Sequence, residues 1–119
     1  SCAGNQEAAS SKTLRTENAA LSSSSTTVNE TIRFLEERVK RDSEDYTAFN
    51  KLATEYLQQM RKTGDANYLR LAERAARASL DVLPAIQNKE ALALLALVKY
   101  SSHEFAESRD YAKQLVELE

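Results

Sequence analysis

The chain has 119 residues, enough for one small domain, and its formal net charge of -2 gives no electrostatic reason to expect nucleic acid or an anionic membrane as a partner. Hydrophobic residues make up 42% and charged residues 29%, which is typical of a globular chain. Two Gly and one Pro are too few for the turns of a β-sandwich or an α/β fold, so the composition predicts an all-α chain.

The cysteine and histidine content excludes several kinds of site. The single cysteine, Cys2, rules out an internal disulfide and a zinc site built from cysteines. The single histidine, His103, lies near the other end of the sequence, which excludes a Cys–His catalytic pair and a His-rich metal site. No other catalytic constellation is recognisable, so neither an enzyme activity nor a cofactor or metal is predicted.

The first 27 residues differ in composition from the rest of the chain. They contain seven Ser and four Thr, and their only large apolar residues are Leu14 and Leu21. Such a segment cannot bury enough apolar surface to offset the entropy that it would lose on ordering. Residues 1–27 are therefore predicted to form a disordered linker, and residues 28–119 a helical domain.

Cys2 allows two interpretations. Ser-Cys-Ala-Gly followed by a polar linker resembles the start of a bacterial lipoprotein, which implies a lipid-modified Cys2 and a domain tethered at the cell envelope. In the alternative, Cys2 is an ordinary terminal thiol and the domain is a soluble protein of the cytoplasm or periplasm. Ser1 departs from the lipoprotein pattern, because a mature lipoprotein begins at its cysteine once the signal peptide has been removed.

Apolar residues at helical spacing predict the first two helices. Thr27-x-x-Glu30 matches a capping box, and a helix from there to about Arg41 would share one apolar face, made of Val28, Ile32, Leu35 and Val39. The polar turn 42–45 can cap a second helix over about 44–61. The apolar stripe of this second helix comprises Tyr46, Phe49, Leu52, Ala53, Tyr56, Leu57 and Met60.

The third helix is predicted from its boundaries as much as from its apolar face. Gly64 suits the left-handed C-terminal cap of the second helix, and Asp65 suits the N-cap of the third. Pro84 closes the third helix after Leu83, because proline cannot donate to a continuing helix.

Two more helices complete the prediction. The fourth, over about 89–100, contains the longest apolar run, 91–98, which is far short of the roughly 20 residues needed to cross a bilayer. Ser101-x-x-Glu104 matches a second capping box, and a fifth helix follows it. Because the links are short, consecutive helices are expected to be antiparallel neighbours.

The segment 46–84 resembles a tetratricopeptide (TPR) helix–turn–helix repeat. Its first helix has large, small and aromatic residues in the order of that family, namely Phe49, Leu52, Ala53 and Tyr56. Its second helix has the small residue Ala72 and the terminal Pro84. The interval from Phe49 to Ala72 exceeds the family spacing by about seven residues, or two helical turns, which is consistent with one extra turn on each helix.

Parts of the same pattern recur on both sides of this segment. The downstream copy of the first-helix pattern is Leu92, Leu95 and Ala96, with Lys99 at the position of Tyr56. Upstream, the second-helix spacing recurs at Thr31, Leu35 and Ser43. The resemblance implies an antiparallel helix–turn–helix TPR-like α-solenoid of about five helices, with about two and a half repeats, after the disordered tail.

In TPR proteins, the first helices of successive repeats line a concave groove that binds a peptide or a partner helix. The resemblance places the following residues in such a groove: Thr47, Asn50, Lys51, Thr54, Gln58, Glu90, Ala93, Leu97 and Tyr100. It implies a non-catalytic protein–protein interaction scaffold, with Asn50 and Lys51 suited to a carboxylate or a peptide backbone. The alternative is a structural module for homo-oligomerisation, or for packing against a following domain of the same chain.

Overall fold

The structure is a computed structural model, and it describes residues 27–119. Cys2 and the predicted linker lie outside the described residues, apart from Thr27. Residues Ile32–Glu119 form one compact unit, and residues 27–31 belong to the unit before it. The first helix, α1, covers residues 27–41, and within it the Thr31 hydroxyl donates to the Thr27 carbonyl at 3.0 Å.

Four more α-helices follow α1, and their bounds agree with the predicted ones to within a few residues. They are α2 (Tyr46–Thr63), α3 (Asn67–Val82), α4 (Lys89–Ser101) and α5 (Phe105–Glu117). One 3-10 turn, Ala85–Gln87, joins α3 to α4. No strand occurs among residues 27–119, so the predicted all-α class is confirmed for the described part of the chain.

Helix α2 (Tyr46–Thr63) lies two residues later at each end than the predicted span of about 44–61, and its two caps fall in the predicted turns. Asp45 is its N-cap, and the carboxylate accepts a hydrogen bond from the Ala48 amide at 3.0 Å. The same carboxylate lies 2.5 Å from Arg38 Nε, and these two partners hold the pKa of Asp45 below its usual range. At the other end, Gly64 has φ 73° and ψ 8°, and its amide donates to the Met60 carbonyl at 2.7 Å.

The second predicted capping box, Ser101-x-x-Glu104, is not present. Helix α4 continues through Ser101, and the turn that follows includes His103 at a positive φ of 62°. Glu104 is the N-cap of α5 but makes no side-chain cap bond, and its carboxylate lies 3.4 Å from Lys99 Nζ instead.

Contacts at both ends show that α2 and α3 run antiparallel. The start of α2 meets the end of α3, where the Ser79 hydroxyl donates to the Tyr46 carbonyl at 3.3 Å. At the opposite ends, the rings of Tyr56 and Tyr68 lie 6.3 Å apart. In turn α3 packs on α4 and α4 on α5, and α2 also packs on α4.

Small side chains lie where these helices approach one another. Ala53 of α2, Ala72 and Ala76 of α3, and Ala91 of α4 are fully buried. Larger apolar side chains surround them in the core, namely Leu35, Leu52, Leu57, Leu92, Leu94, Leu95 and Val98. Alternation of large and small residues lets the helices interlock at native density.

Candidate functional site

A buried lysine links three helices near the C-terminal end of the chain. The Lys99 side chain is only 8% exposed, and its Nζ lies 2.8 Å from Glu73 Oε1 and 3.0 Å from Glu107 Oε2, with Glu104 slightly farther away. The hydrogen bond that the Lys99 ammonium donates to Glu73, with those that it donates to Glu107 and Glu104, outweighs burial and raises the pKa of Lys99 above its usual value. Lys99 is therefore held as a cation, and it is a structural charge rather than an amine nucleophile.

Tyr56 occupies the corresponding position on α2. The residue is buried, and its hydroxyl donates to Glu36 Oε2 of α1 at 2.6 Å. Burial, and then this hydrogen bond, raise the pKa of the Tyr56 phenol above its usual value. The phenol therefore stays protonated, and its hydrogen bond ties α2 to α1.

A buried amide network joins α2, α3 and the start of α4. The Asn50 amide donates to Asn88 Oδ1 at 2.9 Å, and the Asn88 amide donates to Ser79 Oγ at 2.8 Å and to the Leu83 carbonyl at 3.3 Å. Asn50 is only 2% exposed, so its predicted role as a groove contact is wrong. The amide faces α4 and not solvent, because α2 packs on α4 as well as on α3.

The other predicted groove residues remain accessible to different degrees. On α2, Thr47, Lys51 and Gln58 are exposed, whereas Thr54 is half-buried and donates to the Asn50 carbonyl at 3.1 Å. On α4, the exposed residues are Glu90, Leu97 and Tyr100, and Ala93 is half-buried. The structure therefore keeps eight of the nine predicted residues at least partly accessible, and it places them on two helices that pack together.

Two of the predicted groove residues share a cleft with α1. Thr47 and Lys51 line a cleft of about 400 Å³ together with Phe34 and the Arg38–Asp45 ion pair. Phe34 is 57% exposed, so it offers an aromatic surface beside the Lys51 ammonium group. Lys51 makes no ion pair with any described residue, and this cation is therefore available to an anionic group.

An exposed aromatic cluster lies where α4 turns into α5. The rings of Tyr100 and Phe105 are 5.4 Å apart in an edge-to-face arrangement, and His103 approaches Phe105 at 5.6 Å. Tyr100 is 64% exposed and Phe105 is 49% exposed. Sequence reasoning placed Tyr100 in the binding face but missed Phe105, because a turn and not a helical period brings the two rings together.

No arrangement in the described part of the chain points to catalysis at a metal. Within residues 27–119 no group of His, Cys, Asp and Glu side chains is arranged to hold a metal ion. No helix there is long and apolar enough to cross a membrane.

Comparison of the chain with protein-family models, with curated proteins and with solved structures found no match.

Proposed function

We propose that this chain is a non-catalytic protein–protein interaction scaffold of the TPR type, which binds a peptide or a partner helix on the faces of α2 and α4. One observation carries the proposal. Two helices that pack together each keep a stripe of accessible side chains at helical spacing: Thr47, Lys51, Thr54 and Gln58 on α2, and Glu90, Ala93, Leu97 and Tyr100 on α4.

The order of helix contacts supports a TPR-like arrangement. In such a solenoid, the first helix of a repeat packs on its own second helix and on the first helix of the next repeat. The contacts of α2 with α3 and with α4 agree with this order, as do those of α3 and α5 with α4. The first helices of the two repeats are then α2 and α4, which are the helices that bear the accessible stripes.

The two stripes offer different chemistry to a ligand. The α2 stripe is polar and adds the Lys51 cation, whereas the α4 stripe adds the apolar surface of Leu97 and Tyr100, which are 44% and 64% exposed. Interfaces of moderate affinity combine aromatic or aliphatic anchors with a polar rim. A partner segment with an apolar anchor and a carboxylate fits this combination.

The proposal includes a tether through Cys2. A lipid-modified Cys2 would hold the domain at the envelope of a bacterial cell, where it could assemble a complex at the membrane surface. Membrane fractionation of the chain with Cys2 intact or changed to Ala tests this part, and equal solubility of the two forms would rule it out.

Site-specific photo-crosslinking in the cells that produce the protein tests the interaction proposal. A photoreactive amino acid is placed at Lys51 or Leu97, and at the exposed α5 positions Lys113 and Val116 as controls. We expect the same protein to be crosslinked from positions 51 and 97 and not from 113 or 116. The change Lys51→Glu should reduce the product formed from position 97, whereas Lys113→Glu should leave it unchanged. Equal products from all four positions would contradict the proposal.

Self-association is the second candidate function, and it too is favoured by an observation. Helix α5 has no buried residue, and Val116 on it is 68% exposed, in addition to the exposed Tyr100 and Phe105. An apolar surface of this kind can be covered by another copy of the chain or by a following domain. Sedimentation over a concentration series distinguishes the candidates, because self-association requires no added partner.

A further inference from the structure

A cleft of about 440 Å³ lies where α1, α2 and α3 meet. Val39 lines this cleft from α1, Leu52 from α2 and Leu71 from α3. On each helix the lining residues recur at helical spacing, as expected where one face of each helix borders the same space. The cleft shares no residue with the accessible stripes of α2 and α4, so it is a site separate from the proposed binding face.

Two alanines on α3 leave this space open. Ala75 is buried and Ala78 is half-buried, and both line the cleft. Their side chains end at Cβ, so they fill little of the space between the helices. Around them, the apolar walls are completed by Val39, Phe49, Leu52 and Leu71. The interior of the cleft is therefore suited to the apolar part of a ligand.

Three charged side chains line the same cleft. Glu36 accepts the Tyr56 hydroxyl through Oε2 at 2.6 Å, so this carboxylate already has a donor. Lys40 and Arg74 are exposed, and neither makes an ion pair with any described residue. Two unpaired cations and one carboxylate give the lining a net charge of +1. An anionic group is therefore the complement of this lining.

The size of the cleft favours a small molecule over a helical partner. One turn of an α-helix about 10 Å wide and 5.4 Å long takes up roughly 420 Å³, so a partner helix could place only about a single turn there. Small-molecule pockets measure about 300–1,000 Å³ and are mostly apolar, with a few polar groups. At about 30 Å³ for a group the size of a water molecule or a methylene, the cleft holds on the order of ten non-hydrogen atoms.

We infer that this cleft binds a small amphiphile with one carboxylate and an aliphatic chain of on the order of ten carbons, the chemistry of a medium-chain fatty acid. The chain lies against Val39, Leu52 and Leu71, and the carboxylate binds Arg74 and Lys40 at the exposed rim. The inference does not depend on the proposed function, because the cleft and the stripes of α2 and α4 have no residue in common.

Titration calorimetry of the 119-residue chain with decanoate, below the concentration at which micelles form, tests the inference. Decyltrimethylammonium carries the same chain on a cationic head, and acetate carries the carboxylate without the chain. We expect decanoate to bind saturably and about tenfold or more tightly than either control. Absence of saturable binding would overturn the inference, and so would equal affinity for decanoate and decyltrimethylammonium, because the chain alone would then be recognised.

Variants then locate the ligand. Ala78→Leu fills the cleft and should weaken decanoate binding about tenfold or more, whereas Ala112→Leu, at an exposed alanine of α5, should not. Arg74→Gln should weaken binding about fivefold, whereas Arg70→Gln removes the same charge from α3 outside the cleft and should have little effect. Circular dichroism verifies that the variants remain helical. Equal losses in a variant and its control would contradict the assignment.

Nuclear magnetic resonance of the unmodified chain provides a test that requires no substitution. With nitrogen-15 labelling, the largest changes in amide chemical shift on adding decanoate should occur around Leu52 and Leu71, which line the cleft. If the largest changes occur at Leu97 and Tyr100, the amphiphile adsorbs on exposed apolar side chains and the inference is wrong.

Discussion

The first helices of the α2–α3 and α4–α5 pairs share a sequence pattern but differ at one position, where α2 has a neutral tyrosine and α4 has a charged lysine. Tyr56 on α2 and Lys99 on α4 occupy corresponding positions, and both are buried, at 5% and 7% exposure. Each delivers a donor to a carboxylate on a neighbouring helix, Glu36 for the phenol and Glu73 for the ammonium group. Both side chains therefore combine a long apolar part with a terminal donor.

Tyr56 and Lys99 differ in the number of acceptor groups that each requires. A phenol needs one acceptor, and Tyr56 has one in Glu36. A buried ammonium group must recover the free energy of its lost hydration, and three carboxylates on α3 and α5 contact Lys99. Lys99 thus joins α4 to α3 and α5 by ion pairs, whereas Tyr56 joins α2 to α1 by a single hydrogen bond from a buried ring.

Tyr56→Ala should have the largest effect on stability. The change removes a buried aromatic ring and its bond to Glu36, and it should lower the free energy of unfolding by about 3–5 kcal/mol. Urea unfolding followed by circular dichroism measures the loss. Tyr46→Ala, at a 38% exposed residue of the same helix, is the matched control and should lose much less. A loss below about 1 kcal/mol for Tyr56→Ala would contradict the core position that packing gives this residue.

The helices and some of their boundaries could be predicted from the sequence because the signals are local, although Ala66 and not the predicted Asp65 is the N-cap of α3. Asp45, Gly64 and Pro84 act within a few residues of their own position, and apolar spacing shows which face of each helix is buried. The burial of Asn50 and Lys99 could not be predicted in this way. Each depends on polar partners that the sequence places far away, Asn88 in one case and Glu73 in the other. The sequence did contain one indication that Lys99 is buried, because Lys99 stands at the repeat position where α2 has the core residue Tyr56.

Lys99→Met tests how much the ion pairs of Lys99 contribute to the stability of the fold. Methionine retains the apolar stem but leaves three carboxylates close together without their shared cation. Because two of the three are about half exposed and screened by solvent, we expect a loss of about 2 kcal/mol in the free energy of unfolding. Adding Glu107→Gln should recover part of the loss by removing one repelling charge. Lys113→Met, at an exposed lysine of α5, should be nearly neutral, and an equally small effect of Lys99→Met would mean that packing alone stabilises α4–α5.

Asn88→Ala tests whether the amide network specifies the contact of α2 with α4. The change leaves the Asn50 amide buried without its acceptor, which should cost about 1–3 kcal/mol. The double change Asn88→Ala with Asn50→Leu removes both ends of the Asn50–Asn88 bond and should cost less than the sum of the single changes. Additive losses in this double-mutant cycle would show that Asn50 and Asn88 do not act together.

Acid should weaken the α4–α5 side of the molecule through Glu73, and this is the smallest expected effect. The bond from Lys99 holds the pKa of Glu73 below its ordinary value of 4.5. The folded chain therefore binds this proton less tightly than the unfolded chain does, so Glu73 adds stability above about pH 4.5 that is lost as the pH falls through the folded-state pKa.

Urea unfolding of the unmodified chain and of Glu73→Gln between pH 7 and pH 3 measures this contribution. The variant should be less stable at pH 7 by about 1 kcal/mol or less, since Glu73 is partly exposed, and the difference should shrink as the pH is lowered. Glu117→Gln, at an exposed carboxyl group of α5, controls for the loss of one negative charge. A difference that persists unchanged at pH 3 would mean that Glu73 stabilises the fold through its packing, and that Lys99 is balanced by Glu104 and Glu107 alone.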